Sequence, residues 1–231
     1  MEIVMSENKK VTSEGALKIK AAQVTSILKE RYPNAVCSLE WHGEPWKLLV
    51  MGRLSAQCTD AKVNVVCVEL FEKYPTADAL ARADIEDIER IIRPCGLYKT
   101  KARNIKDECR MLIEDHGGIL PNDMDALLRF PGVGRKIANL VLGDVYKIPG
   151  IVADTHCIRI CGRLGFYSSE SKDPVKAESV MAALVEPSEQ SDFCHRMVLF
   201  GREVCRSQRP LCGECPLAEI CDATVEEKSR V

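Results

Sequence analysis

Apolar residues recur at helical spacing through most of the chain, and this periodicity is the strongest constraint on its fold. In the clearest case, Val63, Val66, Cys67 and Leu70 fall on one face of a helix that we expect Asp60 to cap. The connections between such segments are a few residues long, and no segment of the sequence shows the alternation typical of a strand. The sequence therefore predicts an all-α protein.

The composition changes after Gly150, where the chain begins to carry polar and cysteine-rich motifs such as Asp154 and His156. We expect two helical domains, each with its own core. The predicted segments are a disordered N-terminus over residues 1–16, a helix over 17–36 that packs with the C-terminal domain, a six-helix domain over 37–150, a second helical domain over 151–223 and a C-terminal tail over 224–231.

Composition also excludes several classes of protein. The chain has no apolar run near the roughly 20 residues that cross a bilayer. Twelve cysteines accompany no export signal, so we expect reduced thiols and a cytoplasmic protein, associated with the nucleoid if the source is a prokaryote. The net charge is −2, but basic residues including Lys99, Lys101 and Arg103 could form one basic face. Solvated helix surfaces explain most single charges equally well.

A glycine-rich turn joins two predicted helices over residues 123–145. Its residues are Pro131, Gly132, Val133 and Gly134. The backbone N–H groups of this turn and of the following helix start would bind an anion such as a phosphate, with Arg135 beside it. Lys136 lies in the first turn of that helix, where it is either a phosphate-binding residue or a nucleophile. Asp154 precedes another helix as an N-cap, a partly buried acid, or both.

Four cysteines near the C-terminus form a C-x6-C-x2-C-x5-C pattern, namely Cys205, Cys212, Cys215 and Cys221. Four thiolates from a short loop suit either tetrahedral zinc or a [4Fe–4S] cluster. Zinc sites usually pair two short intervals, whereas this pattern has one, so the spacing favours iron–sulfur. Arg206 and Arg209 in the first interval either clamp a phosphate or offset the thiolate charge.

These motifs stand in a specific order along the chain: Leu54-Ser55-Ala56-Gln57-x-Thr59-Asp60, Gly96-Leu97-Tyr98, the turn through Lys136, Asp154-Thr155-His156 and the four cysteines. Together they resemble the endonuclease III family of helix-hairpin-helix DNA glycosylases with AP lyase activity. The resemblance runs from about Leu17 to Cys221. It implies two helical domains with a DNA cleft between them.

The resemblance also implies roles for individual residues. Lys136 would attack C1′ of a flipped nucleotide, expel the base and form a Schiff base, and Asp154 would stabilise the developing charge or accept a proton. The four cysteines would hold a [4Fe–4S] cluster that takes no part in the glycosidic chemistry. Gln57 and Leu97 match residues that fill the gap left by the flipped base, although from sequence physics alone Leu97 would be a core residue.

Two further features of the sequence bear on the resemblance. His156 would contact DNA or the acid, or it is a structural histidine. The chain departs from the family pattern at Arg53, where an apolar residue is usual, and at Pro94-Cys95.

The expected function is that of a bifunctional DNA glycosylase and AP lyase in base excision repair. Such an enzyme would remove oxidised pyrimidines through a lysine Schiff base and cut the strand by β-elimination. Its partner would be duplex DNA with damaged bases or abasic sites, bound by a monomer and without a membrane. One alternative is an adenine-specific mismatch glycosylase, which would lack the nucleophilic lysine. Another is a noncatalytic helix-hairpin-helix DNA-binding protein, which needs neither Lys136 nor Asp154.

Overall fold

A computed structural model describes the backbone of residues 2–224 and the side chains of residues 14–224. That part of the chain contains α-helices, short 3₁₀ turns and no strand, which confirms the all-α prediction. The helices are α1 (Glu2–Arg31), α2 (Pro45–Leu54), α3 (Asp60–Lys73), α4 (Ala77–Arg82), α5 (Ile85–Ile92), α6 (Tyr98–Glu114), α7 (Met124–Leu127), α8 (Arg135–Tyr146), α9 (Thr155–Arg163), α10 (Pro174–Leu184) and α11 (Gln190–Glu203). None of the helices within residues 2–224 has the length and apolar character needed to cross a membrane.

Short polar side chains begin many of these helices by accepting a backbone N–H of the first turn. Thr76 accepts from Ala79 N at 3.1 Å, and Asp123 accepts from Ala126 N at 2.8 Å. The cap of α3 is Thr59, whose hydroxyl accepts from Lys62 N at 3.4 Å. The prediction that Asp60 is the cap was therefore wrong by one residue, because Thr and Asp are both good capping types and stand side by side.

The first compact unit described here covers Cys37–Ile148 and contains α2 to α8. This is one α-helix more than the six predicted, and α7, the first helix of the hairpin, has 4 residues. The unit ends at Ile148, whereas the sequence predicted an end at residue 150. Each of these helices contributes to its core, as shown by the completely buried side chains of Leu48, Leu70, Leu80, Ile88, Ile105, Leu127 and Val141.

The second unit combines Met1–Val36 with Pro149–Val231. Helix α1 packs against α10 and α11 and buries Ala21, Val24 and Leu28. Ion pairs at the rim join Lys29 to Glu189 at 2.5 Å and Arg31 Nη2 to Glu203 at 2.6 Å. The N-terminal helix is therefore part of the same unit as the C-terminal half of the chain.

The sequence predicted a disordered N-terminus over residues 1–16 and a C-terminal tail over residues 224–231. Helix α1 begins at Glu2, so residues 2–16 are helical where the sequence predicted disorder. At the other end, Thr224 closes a helical turn after Cys221, and the rest of the predicted tail lies outside the described residues.

Candidate functional site

The helix-hairpin-helix turn lies between α7 and α8 in the first unit. Gly132 has φ of +79°, a conformation that L side chains rarely adopt, and Val133 N donates to Phe130 O at 3.0 Å to close the turn. The Phe130 ring is buried and stacks on His116 with centroids 5.2 Å apart. The turn is thus fixed from within by an aromatic anchor while Gly132 and Gly134 remain exposed.

The N-terminus of α8 has the features of an anion-binding site. Gly134 is its N-cap, has extended backbone angles and supplies no side-chain cap, so the first N–H groups have no side-chain cap to bind. Arg135 and Lys136 follow at once, and both are exposed. The structure therefore presents the Lys136 amine to solvent at the positive end of a helix of 12 residues.

A polar pair lies directly behind the hairpin. With the Asn104 amide oriented so that its oxygen faces Arg53, that oxygen accepts from Nη2 at 2.8 Å and from Nε at 3.0 Å. Glu108, one turn further along α6, is completely buried and its two oxygens have no hydrogen-bond partner within residues 14–224. Burial raises the pKa of the Glu108 carboxyl well above its usual value.

Two loops of the same unit carry the predicted gap-filling residues. Gln57 follows α2, is exposed and has φ of +55°. Leu97 precedes α6, has φ of +49° and is 59% exposed. The expectation from sequence physics that Leu97 is a core residue was wrong, because the left-handed backbone at the start of α6 turns this side chain outward. Positive φ at non-glycine residues costs about 1–3 kcal/mol and is concentrated at functional sites.

Lys101, placed by the sequence on a basic face, is completely buried. Its amine donates to the carbonyl oxygens of Leu54 at 2.8 Å and Cys95 at 2.9 Å. Burial lowers the pKa of Lys101. This lysine belongs to the interior, and nothing in the helical pattern of the sequence distinguished it from exposed Lys99.

Asp154 lies in the second unit and caps α9. Its carboxylate accepts from Cys157 N at 2.7 Å, and the side chain is half-buried behind the buried segment Ile151, Val152 and Ala153. Asp154 is therefore both an N-cap and a partly buried acid, which were the two readings that the sequence offered. A capping bond fixes the orientation of a carboxylate, as a reacting group requires.

His156 is half-buried in the same unit and packs on α11. Its Nδ1 lies 3.2 Å from Arg159 Nη2, and a methyl group at Gly201 would come within 2.3 Å of Nδ1. This close packing favours the structural role for His156 over the predicted DNA contact.

The four clustered cysteines line one cavity of about 320 Å³ together with Arg163, Val204 and Leu211. Burial, followed by the other three thiols, raises the pKa of Cys215. Within the described residues, no three His, Cys, Asp or Glu side chains lie close enough to share a single metal ion. A shared cavity of this size, lined by four soft sulfur donors, fits a multi-iron cluster.

Two arginines of α9 hold the cysteine loop, and the sequence did not assign them this role. Arg163 donates to Cys205 Sγ at 3.4 Å, to Arg206 O at 2.7 Å and to Ser207 O at 3.0 Å. Arg159 donates to Cys205 O at 2.9 Å. The sequence does place these two arginines four residues apart, on one face of a helix. That spacing does not reveal which groups of the cysteine loop accept their hydrogen bonds.

Two protein families match parts of the chain. Residues 50–187 match the HhH-GPD superfamily of base excision DNA repair proteins. Residues 205–221, which span the four cysteines, match the iron–sulfur binding domain of endonuclease III.

Individual proteins are similar over nearly the whole length. Endonuclease III of Synechocystis sp. is 42% identical over 205 residues, covering 88% of this chain and 92% of the relative. A solved non-covalent endonuclease III–DNA complex superposes with a TM-score of 0.86 at 39% identity, covering 93% of this chain and 99% of that one. A trapped endonuclease III–DNA covalent intermediate gives a TM-score of 0.85 at 39% identity, covering 91% and 98%.

Proposed function

The chain belongs to the endonuclease III family of HhH-GPD superfamily base excision DNA repair proteins, and from that membership we propose that Lys136 is its nucleophile and Asp154 its acidic partner. It is a DNA glycosylase and AP lyase that acts on DNA. It holds an iron–sulfur cluster through Cys205, Cys212, Cys215 and Cys221. When bound, the cluster braces the loop between these cysteines, and the glycosidic chemistry belongs to the protein's own side chains.

The observation that carries the proposal is the position of Lys136. Its amine is exposed in the first turn of α8, next to an N-terminus that suits a DNA phosphate. The amine attacks C1′ of the extruded nucleotide, and the C1′–N bond breaks as the base leaves. The sugar ring then opens to give a Schiff base on Lys136. Loss of a C2′ proton expels the 3′ phosphate and cuts the strand.

Asp154 supplies negative charge to this reaction. Base departure builds positive charge on the sugar, and a carboxylate held in one orientation stabilises such a charge. The 2.7 Å capping bond from Cys157 N fixes one oxygen of Asp154 in this structure. Asp154 alternatively takes the proton that Lys136 loses, and both roles require the ionised carboxylate.

The hairpin and the two positive-φ loops bind and distort the DNA. The turn over Pro131, Gly132, Val133 and Gly134 would bind a backbone phosphate through its N–H groups, with Arg135 adding charge. Extruding a base costs a few kcal/mol, and exposed Leu97 and Gln57 would fill the gap as an apolar wedge and a pairing amide.

Borohydride trapping tests the role of Lys136. Incubated with a damaged duplex and sodium borohydride, the wild type should form a covalent adduct, whereas Lys136→Gln should not. Lys147→Gln is the matched control, because Lys147 is an exposed lysine at the opposite end of α8. An undiminished adduct in Lys136→Gln would remove Lys136 from the mechanism, and a noncatalytic DNA-binding protein would give no adduct in any variant.

The proposed substrates are oxidised pyrimidines in duplex DNA, such as thymine glycol, acted on by a monomer. Two features support this choice of substrate, namely the family membership and the presence of Lys136. An adenine-specific mismatch glycosylase would lack the nucleophilic lysine. Excision rates across duplexes carrying oxidised pyrimidines, oxidised purines or mismatched adenine measure this preference directly. Faster excision of mismatched adenine than of thymine glycol would reject the proposal. The expected cellular location is with the DNA in the cytoplasm.

A further inference from the structure

The side-chain amine of Lys101 is completely buried and donates hydrogen bonds to two backbone carbonyls. Its Nζ lies 2.8 Å from Leu54 O and 2.9 Å from Cys95 O. Burying a lysine is costly unless its donors are satisfied, so a lysine at 0% exposure requires these two acceptors. An amine can donate to both carbonyls whether it is charged or neutral.

The two acceptors lie at the bases of the two loops described above. Leu54 is the last residue of α2, three positions before Gln57, and its carbonyl is one that the helix end leaves without an intrahelical partner. Cys95 ends a 3₁₀ turn two positions before Leu97. One side chain on α6 therefore binds both loops, which are about 40 residues apart in sequence.

Both loops also hold a non-glycine residue in the left-handed region. Gln57 has φ of +55° and Leu97 has φ of +49°, and such conformations persist only where surrounding contacts fix them. Cys95 itself is buried, and burial raises the pKa of its thiol to about 11, so it adds packing without charge. Lys101 joins the two loop bases by donating to one backbone carbonyl of each.

We infer that Lys101 is a positioning residue that fixes the Gln57 loop and the Leu97 loop relative to one another, so that the amide and the wedge enter the DNA stack together. This inference rests on the gap-filling roles proposed above. Removing the amine leaves two carbonyls unsatisfied in a buried place and frees each loop to relax separately. The protein should then extrude a stacked base less effectively while keeping its nucleophile.

Lys101→Met tests the inference, with Lys106→Met as its matched control. Lys106 is on the same helix and also donates to a backbone carbonyl, that of Ala83, which belongs to neither loop. We expect Lys101→Met to slow single-turnover excision from a thymine glycol duplex by about tenfold or more, since small misplacements cost this much. Trapping on a preformed abasic site, where no base must be unstacked, should fall less than about threefold. Lys106→Met should leave both rates within about twofold of the wild type.

Hydrogen exchange separates positioning from general stability. Lys101→Met should speed exchange of amides 55–58 and 96–98 while amides in α8 keep their protection, and Lys106→Met should not change either loop. Equal excision rates and unchanged exchange in Lys101→Met would overturn the inference. A wild type that neither excises nor traps would reject the proposed function, while the exchange comparison would still decide whether Lys101 holds the loops.

Acylation of the folded wild type keeps the inference testable if Lys101→Met does not fold. Lys101 should react at least about tenfold more slowly than exposed Lys99, because the reagent cannot reach a buried amine. Equal modification of the two lysines, measured by mass spectrometry, would show that Lys101 is accessible and would overturn the inference.

Discussion

Arg53 and Asn104 form a hydrogen-bonded pair directly behind Gly132, with Arg53 Nη2 and Nε 2.8 and 3.0 Å from the Asn104 amide oxygen. The pair connects α2 to α6 and supports the outer turn of the hairpin from the inside. The resemblance to the endonuclease III family led us to expect an apolar residue at the position of Arg53. The structure accommodates this departure because Asn104 supplies an acceptor for the guanidinium.

Gly132→Ala should lower the free energy of unfolding by about 2 kcal/mol or more. A Cβ there would lie 2.3 Å from the terminal Asn104 amide atom and 2.7 Å from Arg53 Nε, and φ is +79°. Thermal or urea unfolding measures the change. Gly134→Ala is the stability control, since its φ is −106° and nothing lies within 4 Å of an added Cβ. Equal effects of the two substitutions would contradict the close packing behind the hairpin.

Asp154→Asn should separate the capping role of this residue from its chemical role. Asparagine caps a helix nearly as well as aspartate, so the unfolding free energy should change by only about 0.5 kcal/mol. The charge is lost, so base excision should slow by about 100-fold or more. Asp154→Ala should lose about 1 kcal/mol of stability as well, because the bond from Cys157 N disappears. Full activity in Asp154→Asn would show that the carboxylate's charge is not needed.

Asp87 should contribute stability that is lost in acid. Lys73 first, and then the Tyr74 hydroxyl, lower the pKa of Asp87 from 3.8 to about 2. The folded protein therefore binds fewer protons than the unfolded chain between these values, so the contribution is complete above pH 3.8 and disappears as the pH falls to about 2.

The test is Asp87→Asn, compared with the wild type by urea unfolding at several pH values. Because Asp87 is partly exposed, the expected difference at pH 7 is about 1 kcal/mol, shrinking toward zero near pH 2. In the wild type, the Asp87 carboxylate lies 2.7 Å from Lys73 Nζ and accepts a hydrogen bond from the Tyr74 hydroxyl at 2.6 Å. A difference independent of pH would mean that Asp87 acts through packing alone.

Arg163→Met should weaken retention of the iron–sulfur cluster. Arg163 bonds Cys205 Sγ and the carbonyls of Arg206 and Ser207, so its loss frees the loop that carries the first ligand. Iron release to a chelator should become about tenfold faster or more, because mutation of residues that support metal ligands typically costs about 10–100-fold in metal affinity. The comparison variant is Arg206→Met. The Arg206 guanidinium donates to the carbonyl oxygen of Glu203, which is the last residue of α11. Equal release rates in wild type and Arg163→Met would exclude this role.

The helices and the hairpin could be read from the sequence because their signals are local. Period, capping residues and the Pro-Gly-x-Gly turn each depend on a few neighbouring residues, and α3 and α8 lie close to where the pattern placed them. The cysteine spacing likewise predicted that the four clustered cysteines come together, and all four line one cavity. Lys136 and Asp154 were located the same way, as residues beginning two helices.

The environment of individual side chains could not be predicted in this way. Lys99 and Lys101 are two residues apart in the same helix, yet one is exposed and the other is completely buried. Leu97 looked like a core residue and is exposed, because its φ of +49° depends on the turn before it. Arg163 supports the cysteine loop, a role that the sequence did not assign to it. Each outcome depends on acceptors or backbone that are distant in sequence.

The sequence by itself predicted the helical class, the hairpin and the cysteine cluster from spacing along one stretch of chain, and the family resemblance added the roles proposed for Lys136 and Asp154. Only the tertiary structure decided that Lys101 binds the bases of two loops and that Arg53 and Asn104 lie behind Gly132. Those contacts join α2, α6 and the hairpin, and the burial of Lys101 makes its two bonds specific by removing water as the alternative partner.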